Sequence, residues 1–246
     1  MEKNYTSTFY VLLIIWIGFN PYNTIAQAKF PSEVGLLVGA SNYAGDIVKK
    51  RDFDPKAANL SIGAYYRWYY NKNISFRFGI NQSSLKGDDN NFVGTDRIAR
   101  GFNFKTPLTE ISARVEYDFL NHNRRKGANT FTRFISPFFH VGAGIGFINP
   151  KNDFNLEKNS GLSSLIAEDI NNRITNFFTV PFGGGLRYDL NEQLLIGVEI
   201  GLNAVFTDYL DGISLSGNPE YGDWYAIGGM SISYRLNSIF AKHLLR

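Results

Sequence analysis

Few residues in this chain have types and spacing suited to catalysis. The sequence has three histidines and no cysteine, which excludes disulfides, thiolate metal sites and cysteine nucleophiles. His140, between Phe138 and Gly142, could act as a general base if a nucleophile and an orienting carboxylate stood beside it. The pattern places no such pair there. We therefore interpret His140 as a packed interior residue and predict no catalytic residue.

Metal, phosphate and nucleic-acid chemistry have equally little support. Asp88-Asp89 and the stretch 153–157 could bind a divalent cation, but they lack the ligand spacing of a calcium loop and are interpreted as solvated loop. No glycine-rich phosphate loop precedes a helix. A net charge of +3 is too small to indicate nucleic acid. The sequence therefore predicts no metal, no cofactor, no nucleic-acid partner and no small-molecule substrate.

Ten charged residues recur at alternate positions, opposite apolar neighbours. Five are arginines and five are carboxylates: Arg67, Arg77, Arg114, Arg187 and Arg235, with Glu110, Glu116, Asp118, Asp189 and Glu199. If strands turn them all toward one narrow interior, the balanced charges should pair into a salt-bridged plug. A gated ion path through the same network is the alternative.

The elements that must position these residues are strands. From residue 29 onward the apolar pattern has a period of two, which indicates strands rather than helices. Eight such windows begin near Val34, Leu60, Ile74, Glu110, Phe139, Val180, Leu194 and Trp224. Their connections alternate between short or moderate ones (71–73, 120–132, 191–193) and long ones (44–57, 87–105, 148–175, 207–222). That alternation is typical of an up-and-down barrel with short periplasmic turns and long extracellular loops.

Two observations favour a membrane barrel over a soluble lipocalin-like calyx with its apolar face inward. Half of the 24 glycines lie on the polar face, where a narrow interior needs room for larger neighbours. Aromatic residues on the apolar face also cluster near the short turns, as in a bilayer girdle: Tyr66, Trp68, Tyr70, Tyr117, Phe119, Tyr188 and Tyr234. The predicted fold is all-β, an eight-stranded antiparallel up-and-down transmembrane β-barrel.

The N-terminus has the pattern of a cleaved signal peptide. Lys3 precedes the apolar run 9–19, and Ala26-Gln27-Ala28 forms a small-residue cleavage site. The run is too short to cross a bilayer as a helix, and a buried helix is the competing interpretation. We predict a signal peptide at residues 1–28 and a barrel with a short periplasmic C-terminal tail at residues 29–246. The expected location is the cell outer membrane.

Several segments of the first 150 residues resemble a family of small Bacteroidetes outer-membrane barrels, the PorG-like family of the type IX secretion system. The similarity lies in Glu33 to Gly35, Ser41 to Asp46, Gly87 to Asp89, Arg97 to Arg100, Phe102 to Phe104, Pro107, Glu110, Glu116-Tyr117 and Gly142 to Pro150. It weakens in the loop at 148–175. The resemblance implies a non-enzymatic component of the secretion and gliding machinery, which associates with a periplasmic ring of the PorK and PorN kind.

The sequence offers a basic periplasmic surface for such a partner. It consists of Arg124, Arg125, Lys126 and Arg133, and the tail after Leu236 adds further cations. Solvated basic loops without a partner are the simpler alternative. Two other functions stay open: a small lipid-modifying enzyme using His140, and a barrel whose long extracellular loops bind a ligand.

Overall fold

The computed structural model describes most of the region from Ser32 to Leu236. The described residues are 32–44, 55–71, 73–88, 101–120, 125–126, 130–131, 135–154, 159–207, 209–212 and 223–236. The predicted signal peptide and the C-terminal tail lie outside them.

Eight long strands dominate the described residues. They are β1 (Ser32–Ala44), β2 (Asn59–Tyr69), β3 (Ile74–Asp88), β4 (Asn103–Asp118), β5 (Ile135–Ile148), β6 (Asn176–Asp189), β7 (Leu194–Val205) and β8 (Trp224–Leu236). Each window of two-residue alternation in the sequence corresponds to one of these strands.

The strands close into a barrel. Each pairs antiparallel with its neighbours along the chain, and β1 pairs with β8 from Ser32 opposite Leu236 to Ala44 opposite Trp224. Closure leaves no open edge for another chain to join. The predicted eight-stranded antiparallel up-and-down barrel is confirmed.

Side chains alternate between a buried inner face and an exposed outer face. On β2, Ser61, Tyr65 and Arg67 point inward and are buried, whereas Ile62 and Tyr66 point outward and are exposed. On this strand the outside is thus apolar and the inside largely polar, the reverse of a soluble calyx. An outward apolar series on β5 runs from Ile135 to Phe147, which is roughly 25 to 30 Å tall for tilted strands. This arrangement is that of a transmembrane barrel.

The two ends of the barrel differ. Tight turns join β2 to β3 and β6 to β7 at the end where β1 begins and β8 ends, which we call the short-turn end. The side chain of Asn71 accepts hydrogen bonds from the backbone nitrogens of Asn73 (2.9 Å) and Ile74 (2.8 Å). Asn191 accepts equivalent bonds in the second turn. Asparagine in these Asx turns therefore sets the tight reversals.

The opposite, long-loop end carries the short elements. The strand Lys151–Asp153 continues β5 and pairs with Asn103 to Lys105 of β4. The 3-10 helices Pro55–Ala57 and Ser160–Leu162 and the helix α1 (Ser163–Asn171) belong to the connections here. None of the helices in the described ranges has the length and hydropathy needed to cross a membrane. At the short-turn end, the β4–β5 connection contains a small two-stranded ladder in which Arg125–Lys126 pairs with Thr130–Phe131.

Apolar residues fill the barrel toward the long-loop end. They form one buried cluster that includes Leu85, Phe104, Leu108, Phe177 and Tyr225, together with Phe154, Ile166 and Leu210 from the connections. Ile166 of α1 is 1% exposed. Residues of the connections therefore pack against strand residues in one shared hydrophobic core.

Candidate functional site

The charged residues inside the barrel form the most elaborate cluster in the described structure. Alternation turns each of them inward, and all ten residues of the predicted lumen set take part in ion pairs. Their side chains are at most 14% exposed. This part of the lumen is filled by side chains.

Glu116 on β4 is one hub of the network. Its carboxylate accepts hydrogen bonds from Arg187 (2.5 Å), Arg67 (2.6 Å) and Arg77 (3.4 Å), and from the hydroxyl of Ser75 (3.3 Å). Three guanidinium groups thus surround one fully buried carboxylate. Such an arrangement holds only while every member keeps its partners.

Glu33 on β1 is a second hub, and sequence reasoning missed it. It accepts hydrogen bonds from Arg67 and Tyr69 and from Ser233 (3.3 Å), and it lies 3.5 Å from a nitrogen of Arg235. Extending the alternation of the first window back by one residue would have placed Glu33 on the inner face. It brings this ion-pair network to six acids and five arginines.

The register explains why the carboxylates stand where they do. Arg67, Arg77 and Arg114 are direct neighbours across β2, β3 and β4. Carboxylates from other positions separate them: Arg77 donates to Glu199 (2.7 Å) and Arg114 to Glu110 (3.0 Å). The network therefore offsets a row of three like charges.

Aromatic rings complete the packing of the arginines. The Arg77 guanidinium lies 3.9 Å from the ring centroid of Tyr65, and that of Arg187 lies 3.7 Å from the ring centroid of Phe138. These distances allow cation–π attraction. Gly35 makes room for Tyr65, because a Cβ at residue 35 would overlap the tyrosine ring.

His140 lies deep in the same lumen and is fully buried. Neither of its ring nitrogens has a hydrogen-bond partner among the described residues. A general base needs a proton donor or a nucleophile within hydrogen-bond reach. The described geometry around His140 therefore offers no catalytic constellation.

The candidate metal-binding residues are only partly described. Asp88 lies at the end of β3 and Asp153 in the short strand that continues β5, whereas Asp89 and residues 155–157 lie outside the described ranges. Within those ranges, no group of three histidine or carboxylate side chains is arranged to hold a metal ion.

Both ends of the outer surface carry aromatic residues. The seven residues of the predicted girdle lie on the outer face near the short-turn end, where Trp68 stacks on Phe76 at 5.7 Å and Tyr117 meets Phe119 edge-on at 5.2 Å. A second group near the long-loop end was not anticipated from the sequence. Phe178 lies 5.9 Å from Phe206, and Trp224 lies 6.1 Å from Phe182. Two aromatic belts flanking an apolar band are typical of membrane barrels.

The predicted partner surface lies in the β4–β5 connection at the short-turn end. The backbones of Arg125 and Lys126 form one strand of the small ladder there. Arg124 and Arg133 lie outside the described residues.

Several solved membrane-protein structures are similar to this chain at low identity. The attachment invasion locus protein Ail of Yersinia pestis is 11% identical with a TM-score of 0.45, and the match covers 85% of this chain and 99% of Ail. Neisserial surface protein A is 8% identical with a TM-score of 0.49 (83% and 97% covered). OprG of Pseudomonas aeruginosa is 11% identical with a TM-score of 0.40 (85% and 98% covered). Nothing about function follows from similarities this weak.

The sequence itself has one informative match. No curated protein matches it significantly. A family model described as "Domain of unknown function (DUF6089)" matches residues 7–240, nearly the whole chain, and the protein therefore belongs to the DUF6089 family.

Proposed function

We propose that this protein is a non-enzymatic barrel of the outer membrane that anchors a periplasmic ring of the type IX secretion and gliding machinery. The signal-peptide pattern and the apolar outer band support the location. The resemblance of the first 150 residues to the PorG-like family supports the machinery.

The filled lumen is the observation that carries this proposal furthest. Eleven charged side chains occupy the barrel from its middle to the short turns, and a mainly apolar cluster that also encloses Tyr43 with Asp211 and Asp223 occupies the part toward the long loops. Side chains thus occupy the lumen at both levels, and neither ring nitrogen of His140 has a hydrogen-bond partner among the described residues. The barrel then acts through the surfaces it presents at its two ends.

The surface for the ring is the basic β4–β5 connection at the short-turn end. In the sequence, Arg124, Arg125, Lys126 and Arg133 fall between β4 and β5, and the strand ends that this connection joins face the periplasm when short turns are periplasmic. Adjacent cations on a connection can meet an acidic patch without disturbing the barrel ladder. Ring proteins of the PorK and PorN kind are the proposed partners.

The test is a triple variant, Arg124→Ser, Arg125→Ser and Lys126→Ser. Rim charges act mainly on the rate of encounter and are screened over about 8 Å at physiological salt. We expect co-purification of the ring to weaken, most strongly at low salt where the wild-type attraction is least screened, with unchanged heat-modifiable migration on a gel. Lys56→Ser, at an exposed position near the other end, is the control.

Two results would contradict the proposal. One is a triple variant that retains full secretion and ring co-purification while trimming residues 148–175 abolishes both, since the partner would then bind the opposite end. The other is altered lipid A in a deletion strain that wild-type protein restores and His140→Ala does not, since this would indicate a lipid-modifying enzyme.

A further inference from the structure

Three lysines form a row across neighbouring strands near the long-loop end. Lys86 of β3 is the direct register partner of Lys105 of β4, and Lys105 is in turn the partner of Lys151 in the short strand that continues β5. Direct partners on one face of an antiparallel ladder have Cβ atoms about 5 Å apart. We call Lys86, Lys105 and Lys151 the lysine row.

The lysine row lies on the outer face of the barrel. The residues that alternate with it, Leu85 and Phe104 among them, are buried in the apolar cluster, whereas Lys105 and Lys151 are exposed. No carboxylate within the described ranges forms an ion pair with any of the three lysines. Like charges directly opposite one another destabilise a ladder, so the arrangement costs stability in the protein alone.

The row stands just beyond the apolar band. On β5, Phe147 is the last apolar residue of the outward series, and Lys151 follows four residues later. At about 3.3 Å per residue and a strand tilt of about 40°, this places Lys151 roughly 10 Å above the band on β5, and the six residues from Ile80 to Lys86 and from Ile111 to Lys105 correspond to about 15 Å on β3 and β4. Lysine stems can lie along apolar surface while their ammonium groups reach the headgroup region. The carboxylates that come next on this face, Asp88 and Asp153, lie one row further from the band.

We infer that the lysine row binds the phosphate groups of lipid headgroups in the leaflet at the long-loop end. Unpaired ammonium groups are point-charge ligands for phosphate. Their position on the outer face, above the apolar band and within reach of long lysine stems, favours a phosphate fixed in the membrane over one free in solution. The inference needs the barrel to stand in a bilayer with this end toward phosphorylated lipid, and it does not need the role in secretion.

The test is a titration of the purified full-length barrel in non-ionic detergent micelles with bisphosphorylated lipid A, counting bound lipid by native mass spectrometry. One basic residue near an anionic surface corresponds to about a fivefold change in affinity. We expect Lys105→Gln to weaken binding about fivefold, and the triple change of the row to glutamine about a hundredfold. Dephosphorylated lipid A should bind wild type and variants alike.

Lys105→Glu separates binding from a structural role, because the two should change in opposite directions. A carboxylate at residue 105 would stand between two lysines and relieve their repulsion. We expect the unfolding temperature of this variant in neutral detergent to equal or exceed that of wild type, while lipid affinity falls more than it does for Lys105→Gln. A Lys105→Glu variant that binds the phosphorylated lipid as tightly as wild type would overturn the inference.

Further measurements distinguish binding of a lipid phosphate from binding of free phosphate and from general electrostatic attraction. Inorganic phosphate that displaces the lipid at low millimolar concentration would show that the row takes free phosphate, against the inference. Lys56→Gln, a charge removed elsewhere near the same end, should leave lipid affinity unchanged, and an equal loss there would indicate only general electrostatic attraction. The Arg124, Arg125 and Lys126 triple variant should bind the lipid normally, so failure of the ring proposal would leave this result untouched.

Discussion

At the scale of single residues, the lumen depends on two carboxylates rather than on balanced pairs. Glu116 is shared by three arginines, and Glu33 by two arginines and Tyr69. Arg114, by contrast, has Glu110 as its ion-pair partner, and Glu110 also accepts a hydrogen bond from Tyr225 (2.6 Å). Removal of different members of this network should therefore have unequal effects.

We expect Glu116→Gln to lower the free energy of unfolding by about 3 to 5 kcal/mol, because it leaves three buried guanidinium groups without their shared carboxylate. Arg114→Leu should cost less, about 1 to 3 kcal/mol, since Glu110 keeps the bond from Tyr225. Urea titration followed by heat-modifiable migration measures both. Equal losses for the two variants would argue against Glu116 as a hub.

At the scale of elements, the barrel depends on close contact between strand backbones. Gly142 of β5 faces inward beside β4, and a Cβ there would overlap the carbonyl oxygen of Ala113. Backbone in a ladder cannot move aside as the tip of a side chain can. Glycine at this position is thus a condition for the β4–β5 register, in which Gly142 pairs with Arg114.

We expect Gly142→Ala to destabilise the barrel by about 1 to 3 kcal/mol, the usual cost of overpacking. Gly161→Ala is the matched control, because a Cβ at residue 161 would meet no atom within 4 Å. The fraction of folded protein after refolding into detergent, read as heat-modifiable migration, compares the two. Similar yields would mean that the β4–β5 ladder tolerates wider spacing.

At the scale of the whole molecule, the interior has two tiers. Ion pairs occupy the part toward the short turns. Toward the long loops lies the apolar cluster, which includes Ile166 of α1 and Leu210 and encloses a polar group in which the Tyr43 hydroxyl lies 2.7 Å from Asp211 and 2.6 Å from Asp223. An eight-stranded barrel has an interior just wide enough for side chains. The molecule is therefore a barrel whose interior is occupied by its own side chains and whose two ends present different surfaces.

We expect no steady conductance from the wild-type protein in planar bilayers. An ion would have to displace buried charges from their partners in one tier and pass between tightly packed, mostly apolar side chains in the other, and both steps are strongly unfavourable. A large-pore porin reconstituted in the same bilayers is the positive control. Large, stable single-channel currents from the purified protein would favour the alternative of an ion path through the charged network.

Local pattern was enough to predict the architecture. Period-two alternation, Asx-turn asparagines and unequal connection lengths are properties of short segments, and they determine the strand count, the inward polar face and the outer aromatic belt near Trp68 and Tyr117. The same alternation places Arg67 and Glu116 in the lumen, because the face of a residue in a strand depends only on its parity.

Tertiary structure alone decided which residues meet. Cross-strand partners are set by the register that barrel closure imposes, and a single strand carries no information about it. Glu33 meets Arg235 because β1 closes against β8. Lys86, Lys105 and Lys151 share one row only because β4 pairs with β3 and with the short strand Lys151–Asp153. The apolar core beneath the long connections depends in the same way on segments far apart in the chain, since residues such as Phe154 and Leu210 join one cluster only once the barrel has closed.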